Sequence, residues 1–185
     1  AWDDLRAFAE KAQIPVAHTL LGIGGIDETH PLSYGYMGMH GWKHVNKAIQ
    51  SADLLIALGM RFDDSATGTV SSYAPHARII HVDVDPVEIG KNVAVDVPIV
   101  GDVRVVLEQL NAELEKGGVG DVDRAGWRST ISGWQERFPL QYPHAEPGGA
   151  LQPQFVVEQL RDHTPDDPIV ARELEGAREE VRNLV

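Results

Sequence analysis

With 185 residues, 43% of them hydrophobic, the chain is long enough for one domain with a substantial core and too apolar for general disorder. A formal charge of −12 argues against a nucleic-acid backbone as partner, and the absence of cysteine excludes disulfide scaffolding, thiolate catalysis and cysteine-ligated metal. No stretch approaches the ~20 apolar residues of a membrane span and no signal peptide is legible, so no membrane partner is expected and a cytoplasmic setting fits.

Leu5, Phe8, Ala9 and Ala12 recur at helical spacing and predict an amphipathic helix over residues 3–12. Pro15 marks passage into a short strand from Val16 to Leu20. Gly22, Gly24 and Gly25 follow it, and Pro31 keeps the next segment extended or turned. Residues 42–51 read as a helix with Val45, Ala48 and Ile49 facing inward. The apolar runs Leu54–Leu58, ending at Gly59, and Arg78–Val84, ending at Asp85-Pro86, read as strands of a parallel sheet covered on both faces. Val97–Val100 reads as one more strand. Asp102 suits the N-cap of a helix whose buried stripe is Val103, Val106, Leu107, Leu110 and Leu114, stopped by Gly117-Gly118.

Strand, helix and crossover thus recur from residue 16 to residue 114. This predicts an α/β fold, a doubly wound and mostly parallel Rossmann-like sheet. The chain opens in amphipathic text at Ala1 and reads as cut from a longer one. After Lys116 the composition changes: residues 117–153 read as a linker, helical through Trp127, Ile131, Trp134 and Phe138, then extended through a stretch rich in proline and glycine. Phe155, Val156, Gln159 and Leu160 begin a further helix, Ile169-Val170 reads as the start of a strand, and residues 171–185 are highly charged and helical. The expected organisation is a central cofactor-binding domain over 1–116, the linker over 117–153, and the start of another domain over 154–185.

Chemistry concentrates where strands end. Open α/β sheets hold ligands beyond the carboxyl ends of their strands, which gives the run Gly59-Met60-Arg61-Phe62-Asp63-Asp64 a binding location. Gly59 permits close backbone approach, Arg61 presents a planar fork to phosphate, and Asp63 either caps the next segment or accepts a ligand hydrogen bond. A structural ion pair between Arg61 and an aspartate is the plainer reading. In Met37-Gly38-Met39-His40-Gly41, the thioethers suit a flat ring or a core equally, and His40 serves as donor or as a helix-start residue. Asp83 is placed on the exposed side of its strand end, where an acidic residue can hold a ribose hydroxyl, while Asp85 caps the segment begun by Pro86. Gly101-Asp102 offers helix-terminal N–H groups, but the aspartate itself occupies them and repels anions, so a hydroxyl-bearing ligand suits it better. The Gly-x-Gly-x-x-Gly fingerprint, the phosphate loop and His-Glu-x-x-His are all missing, and no catalytic or metal-ligating set is legible.

His18-Thr19-Leu20, Met37–Gly41, Ala52-Asp53, Gly59–Asp64, His81–Pro86 and Ile99–Asp102 occur in an order that resembles the middle domain of acetolactate synthase, a thiamine-diphosphate enzyme. The resemblance is dense over residues 5–115 and continues through Trp127, Trp134 and Pro153-Gln154. It implies a full enzyme that condenses 2-oxoacids after pyruvate decarboxylation, in branched-chain amino-acid synthesis, using thiamine diphosphate and magnesium. It also implies a middle domain that holds FAD in a mainly structural role. Carried over motif by motif, Thr19, Leu20, Met39 and His40 would line the flavin site, Gly59, Met60, Arg61 and Asp63 would continue it, and Asp83, Val84, Gly101 and Asp102 would flank the remaining nucleotide portion.

The same resemblance implies that the activating glutamate, the diphosphate-magnesium motif, and the first strand and glycine turn expected before Ala1 lie outside this sequence. Residues 154–185 would begin the diphosphate-binding domain with a divergent tail. Ser65 stands where the family commonly has arginine, which removes a charged donor. The chain alone is therefore expected to be inactive as a carboligase. Its partners would be further copies of itself or the missing carboligase domains, supplied in trans. A noncatalytic nucleotide-binding or structural interaction module is the other reading.

Overall fold

The computed structural model describes residues 1–117, 123–142 and 150–165. Helix α1 (Trp2–Ala12) forms where the helical spacing predicts it and buries Phe8, Ala9 and Ala12. Asp3 and Asp4 favour its positive amino end, and Gln13 closes it in the left-handed region at φ 53°. Strand β1 (Val16–His18) is shorter than expected. Thr19 leaves it and leads a 3₁₀ turn over Leu20–Gly22, while His18 Nε2 meets the Glu28 carboxylate at 2.7 Å.

Strand β2 (Ser33–Tyr36) arises in the segment read only as extended or turned, and pairs parallel with β1. Helix α2 (Lys43–Ser51) buries Val45 and Ile49 as expected, and His44 with them. Strand β3 (Leu54–Leu58), the short helix α3 (Asp64–Thr67), strand β4 (Arg78–Asp83), strand β5 (Val97–Val100) and helix α4 (Val103–Glu115) complete the α/β body.

The strands form two parallel sheets, β1-β2 and β3-β4-β5. Their helical cover gives the expected Rossmann-like α/β architecture, with the hydrogen-bonded ladder interrupted between β1 and β3. β4 is central and accordingly buried, with Val82 and His81 fully enclosed. β3 corrects the expectation of a strand buried throughout: Leu54 is exposed and Ala57 alone is fully buried, because only one of its edges is paired. Pro98, which has no N–H to offer a neighbour, lies on the outer strand β5.

The core gathers Tyr34, Met37, Val45, Ile49, Phe62, Tyr73 and Ile79. Each fully buried aliphatic side chain there stabilises the fold by about 1.5–3 kcal/mol relative to exposure. Helix α5 (Ala125–Arg137) adds a completely buried Ile131, and Trp127 and Trp134 stack edge-on at 5.8 Å. It belongs to the first of two compact units, which runs from Ala1 to Phe138.

The second unit begins at Pro139 and contains helix α6 (Pro153–Asp162), with proline in its first turn. Tyr142 donates its hydroxyl proton to Glu158, and that bond pushes the phenol up to about 12. The strand and charged helix expected after residue 168 lie outside the described residues, as do Gly118–Gly120 and much of the proline-glycine stretch.

Candidate functional site

β3, β4 and β5 end at the same level. The Gly59 N–H donates to the Val82 carbonyl at 2.8 Å, and the Gly101 N–H donates to the Asp83 carbonyl at 2.9 Å, so each ladder gains one more rung before the chain turns. Gly59 turns at φ +64°, a conformation side chains disfavour. Beyond these ends lies a cavity of about 520 Å³ lined by Gly59, Asp83, Val84, Gly101, Asp102 and the first turn of α4. Five of the twelve sequence-selected residues therefore converge on one surface at the carboxyl end of a parallel sheet.

The chemistry of that surface is acceptor-rich. Asp102 Oδ1 accepts the N–H groups of Arg104 at 2.8 Å and Val105 at 3.4 Å, which is the N-cap expected of it. The α4 amino terminus is thereby occupied by its own carboxylate, so an anion gains little there while a hydroxyl donor finds partners. Asp83 is not on the exposed side of its strand. It is buried, with Oδ1 accepting the Asp85 N–H at 2.9 Å. Asp85 in turn accepts the Val87 N–H at 2.9 Å, holding the turn begun at Pro86. Val84 is largely exposed and offers an apolar contact above the sheet end.

A second cluster forms around the Met37–Gly41 loop. The Met37 N–H donates to the His18 carbonyl at 2.9 Å, which places the loop beside Thr19 and Leu20. The Met39 N–H donates to the Ser65 carbonyl at 2.7 Å, which places it beside the Asp63 turn. Asn46 grips Gly38 twice, accepting its N–H at 3.0 Å and donating to its carbonyl at 2.8 Å. These backbone bonds bring the loop carrying Met39 and His40 between the end of β1, which Leu20 follows, and the turn carrying Arg61 and Asp63.

The plainer readings also hold here. Arg61 Nη2 stands 3.4 Å from Asp63 Oδ2 with both groups largely exposed, and Asp63 caps α3 by accepting the Ala66 N–H at 3.1 Å and the Ser65 hydroxyl at 2.7 Å. Met60 packs against the hydrophobic core, and with Thr19 it lines a different, apolar cavity.

Asn46 and Arg104 are the site residues that sequence reasoning missed. Asn46 falls eight positions beyond Gly38, inside a helix, with no motif to mark it. Arg104 follows the cap in the first turn of α4 and was legible from that position alone. Among the described residues no group of three or more His, Asp or Glu side chains could hold a metal ion, and no helix is long and apolar enough to cross a membrane.

A family model described as the central domain of thiamine pyrophosphate enzymes matches residues 1–110. The acetolactate synthase large subunit of Parasynechococcus marenigrum (strain WH8102) is 44% identical over 166 residues, which covers 90% of this chain and 26% of that protein. The large subunit of Corynebacterium glutamicum is 46% identical over 169 residues, 91% of this chain and 27% of that one. The mitochondrial acetolactate synthase of Schizosaccharomyces pombe is 43% identical over 171 residues, 88% of this chain and 25% of that one. The chain spans about a quarter of the length of the relatives it matches.

Proposed function

The chain belongs to the family of thiamine pyrophosphate enzyme central domains, and from that premise we propose that it is the flavin-holding part of an acetolactate-synthase-like carboligase. The observation that carries the reading is the convergence of Gly59, Asp83, Val84, Gly101 and Asp102 on one cavity beyond three parallel strand ends. That cavity fits the adenosine half of FAD. Its aspartates suit ribose hydroxyls and repel phosphate, and its glycines allow backbone approach. The flavin ring would lie by the second cluster, where the loop carrying Met39 and His40 is bonded through Met37 to the end of β1, just before Thr19 and Leu20, and Arg61 is the cation proposed for the diphosphate.

In this reading FAD is the cofactor of residues 1–116, residues 117–153 connect, and residues 154–185 begin the diphosphate-binding domain. Thiamine diphosphate and magnesium would serve the whole enzyme, in branched-chain amino-acid synthesis, through residues beyond this sequence. Its partners would be further copies of the chain or the remaining carboligase domains, in the cytoplasm.

Flavin titration of the whole chain, followed by fluorescence and calorimetry beside a Val84→Glu variant, tests the reading. Val84 is exposed, so the substitution leaves the fold intact while placing a carboxylate at the cavity mouth. Saturable 1:1 binding weakened by Val84→Glu is expected. Absence of binding by the folded protein would leave a structural interaction module as the better reading.

A further inference from the structure

Helices α2 and α5 pack against each other and carry the opposite charge to the chain as a whole. Together they hold two lysines and two arginines, Lys43, Lys47, Arg128 and Arg137, against a single glutamate, Glu136, in a chain of formal charge −12. Lys43 and Lys47 lie four residues apart and so share one face of α2, where like charges repel.

Three of these cations converge on one ring. The Lys43 ammonium stands 4.2 Å and the Lys47 ammonium 5.9 Å from the centre of Phe138, with the Arg137 guanidinium at 5.6 Å. Lys47 also stands 5.3 Å from the centre of Trp134, which is fixed by packing on the hydrophobic core and edge-on against Trp127. The rings therefore orient the charged heads, while Lys43, Lys47 and Arg137 stay exposed. Elsewhere in the first unit cations meet carboxylates, as Lys11 meets Glu115, Lys91 meets Glu88 and Lys116 meets Glu113. Lys43, Lys47 and Arg137 meet none among the described residues.

We propose that this face docks a short carboxylate-rich segment of a partner protein. Charge complementarity selects the occupant. A ring quadrupole holds a cation without cancelling its charge, so the cluster projects a positive field outward. A long polyanion such as a nucleic acid runs past the patch onto an acidic surface that repels it. A single small anion meets cations spread around a ring on open surface, where water and salt screen it. A second copy carries the same charge of −12 and is repelled at long range. A segment with several carboxylates beside an apolar side chain meets the cations through its charges and the half-buried Phe138 through the apolar group. The proposal goes beyond the flavin reading and uses no residue of that site.

Fluorescence anisotropy on the whole chain tests it, with a labelled peptide reading Glu-Glu-Leu-Glu-Phe-Glu-Glu. The same peptide with glutamine in place of every glutamate, and an oligothymidylate of equal charge, serve as comparisons. Saturable binding of the acidic peptide is expected. It should weaken by roughly tenfold or more in Lys43→Glu/Lys47→Glu, and by less than about twofold in Arg6→Glu/Lys116→Glu, which changes net charge equally outside the patch. In the unaltered chain the peptide is expected to shield Lys43 and Lys47, but not Lys116, from amine acetylation read by mass spectrometry, which requires no variant to fold. No binding, equal weakening in both double variants, equally tight binding of either comparison ligand, or no shielding of the two lysines would overturn the proposal. So would a doubled mass in light scattering that Lys43→Glu/Lys47→Glu abolishes, which would assign the face to a second copy of the chain.

Discussion

The Met39 N–H donates to the Ser65 carbonyl oxygen at 2.7 Å, tying the methionine-glycine loop to the turn that follows β3. The approach that makes this bond leaves no space at Gly38. A Cβ built there would stand 2.6 Å from the same Ser65 oxygen, and Gly38 lies at φ +109°. Two stretches of sequence more than twenty residues apart are thus held as one surface by a backbone contact that only glycine permits.

Gly38→Ala is therefore expected to destabilise the fold by about 2–4 kcal/mol, because backbone on both sides must shift. Chemical denaturation gives the loss directly. Under the flavin reading, the folded fraction also binds FAD more weakly, whereas an unchanged unfolding midpoint would contradict the close approach.

Asp102 combines a structural cap with a proposed ligand contact, and two substitutions separate them. Asp102→Ala should cost about 1 kcal/mol of stability through the lost cap, while Asp102→Asn keeps an acceptor and stays within about 0.5 kcal/mol. Flavin affinity is expected to fall with Ala and to be largely kept with Asn. Equal loss in both would assign the contact to the negative charge.

The Arg61–Asp63 pair is largely exposed, so Arg61→Ala should change stability by less than about 0.5 kcal/mol. If Arg61 meets the diphosphate, FAD affinity falls by about tenfold or more, the usual cost of losing a charge-assisted hydrogen bond. Calorimetric titration of the two proteins decides. Ser65→Arg, which adds the charged donor that the family resemblance implies at this position, is expected to move affinity the other way while removing the Ser65 hydroxyl from Asp63.

His81 is completely buried on the central strand, neither ring nitrogen has a hydrogen-bond partner among the described residues, and its ring meets Phe62 edge-on at 5.0 Å. His81→Phe keeps the aromatic contact and removes the unpaired nitrogens, so a gain of about 1–2 kcal/mol is expected. A loss of stability in urea melts would indicate that the larger ring does not fit against Ala57 and Pro98, its neighbours across the sheet.

His44 sets a pH dependence of known sign. Burial lowers its pKa below 6.5, and the hydrogen bond from Nε2 to the Tyr34 carbonyl at 3.1 Å opposes that shift only in part. The unfolded chain therefore takes up a proton at this residue before the folded one does. The neutral-state stability is complete above about pH 6.5 and is lost as pH falls below that value. Denaturation midpoints at pH 7.5 and 5.5 should differ more for the unaltered chain than for His44→Gln. Equal differences would show that other groups carry the acid sensitivity.

Legibility in the sequence followed locality. β3, β4 and α4 with its Asp102 cap were readable because an apolar run, a following glycine and a capping side chain all act within a few residues. β2 was not readable as a strand. Its Ser-Tyr-Gly-Tyr text has no aliphatic run, Gly35 sits at φ +96°, and only pairing with β1 makes it a strand. The burial of His44 and His81 was equally hidden, because a polar residue enters a core through tertiary neighbours. Asp83 was read as exposed because its local role, accepting the Asp85 N–H inside the strand-end turn, leaves no pattern in the text. The candidate surface is legible as a set of strand ends, while its division into an acceptor-rich cavity and a methionine-glycine loop arises from tertiary contacts that leave no local pattern.

The two halves of the candidate surface stand on different sheets. Thr19 and Leu20 follow β1, whereas Gly59, Asp83 and Gly101 terminate the other sheet, so the two halves of the surface ride on separate platforms. Neighbouring hydrogen-bonded strands are held about 4.8 Å apart by their backbones, but platforms joined through packed helices can slide by small side-chain rearrangements. The span between the two halves is then set by the side chains packed between the platforms, the buried Leu107 and Ile131 among them.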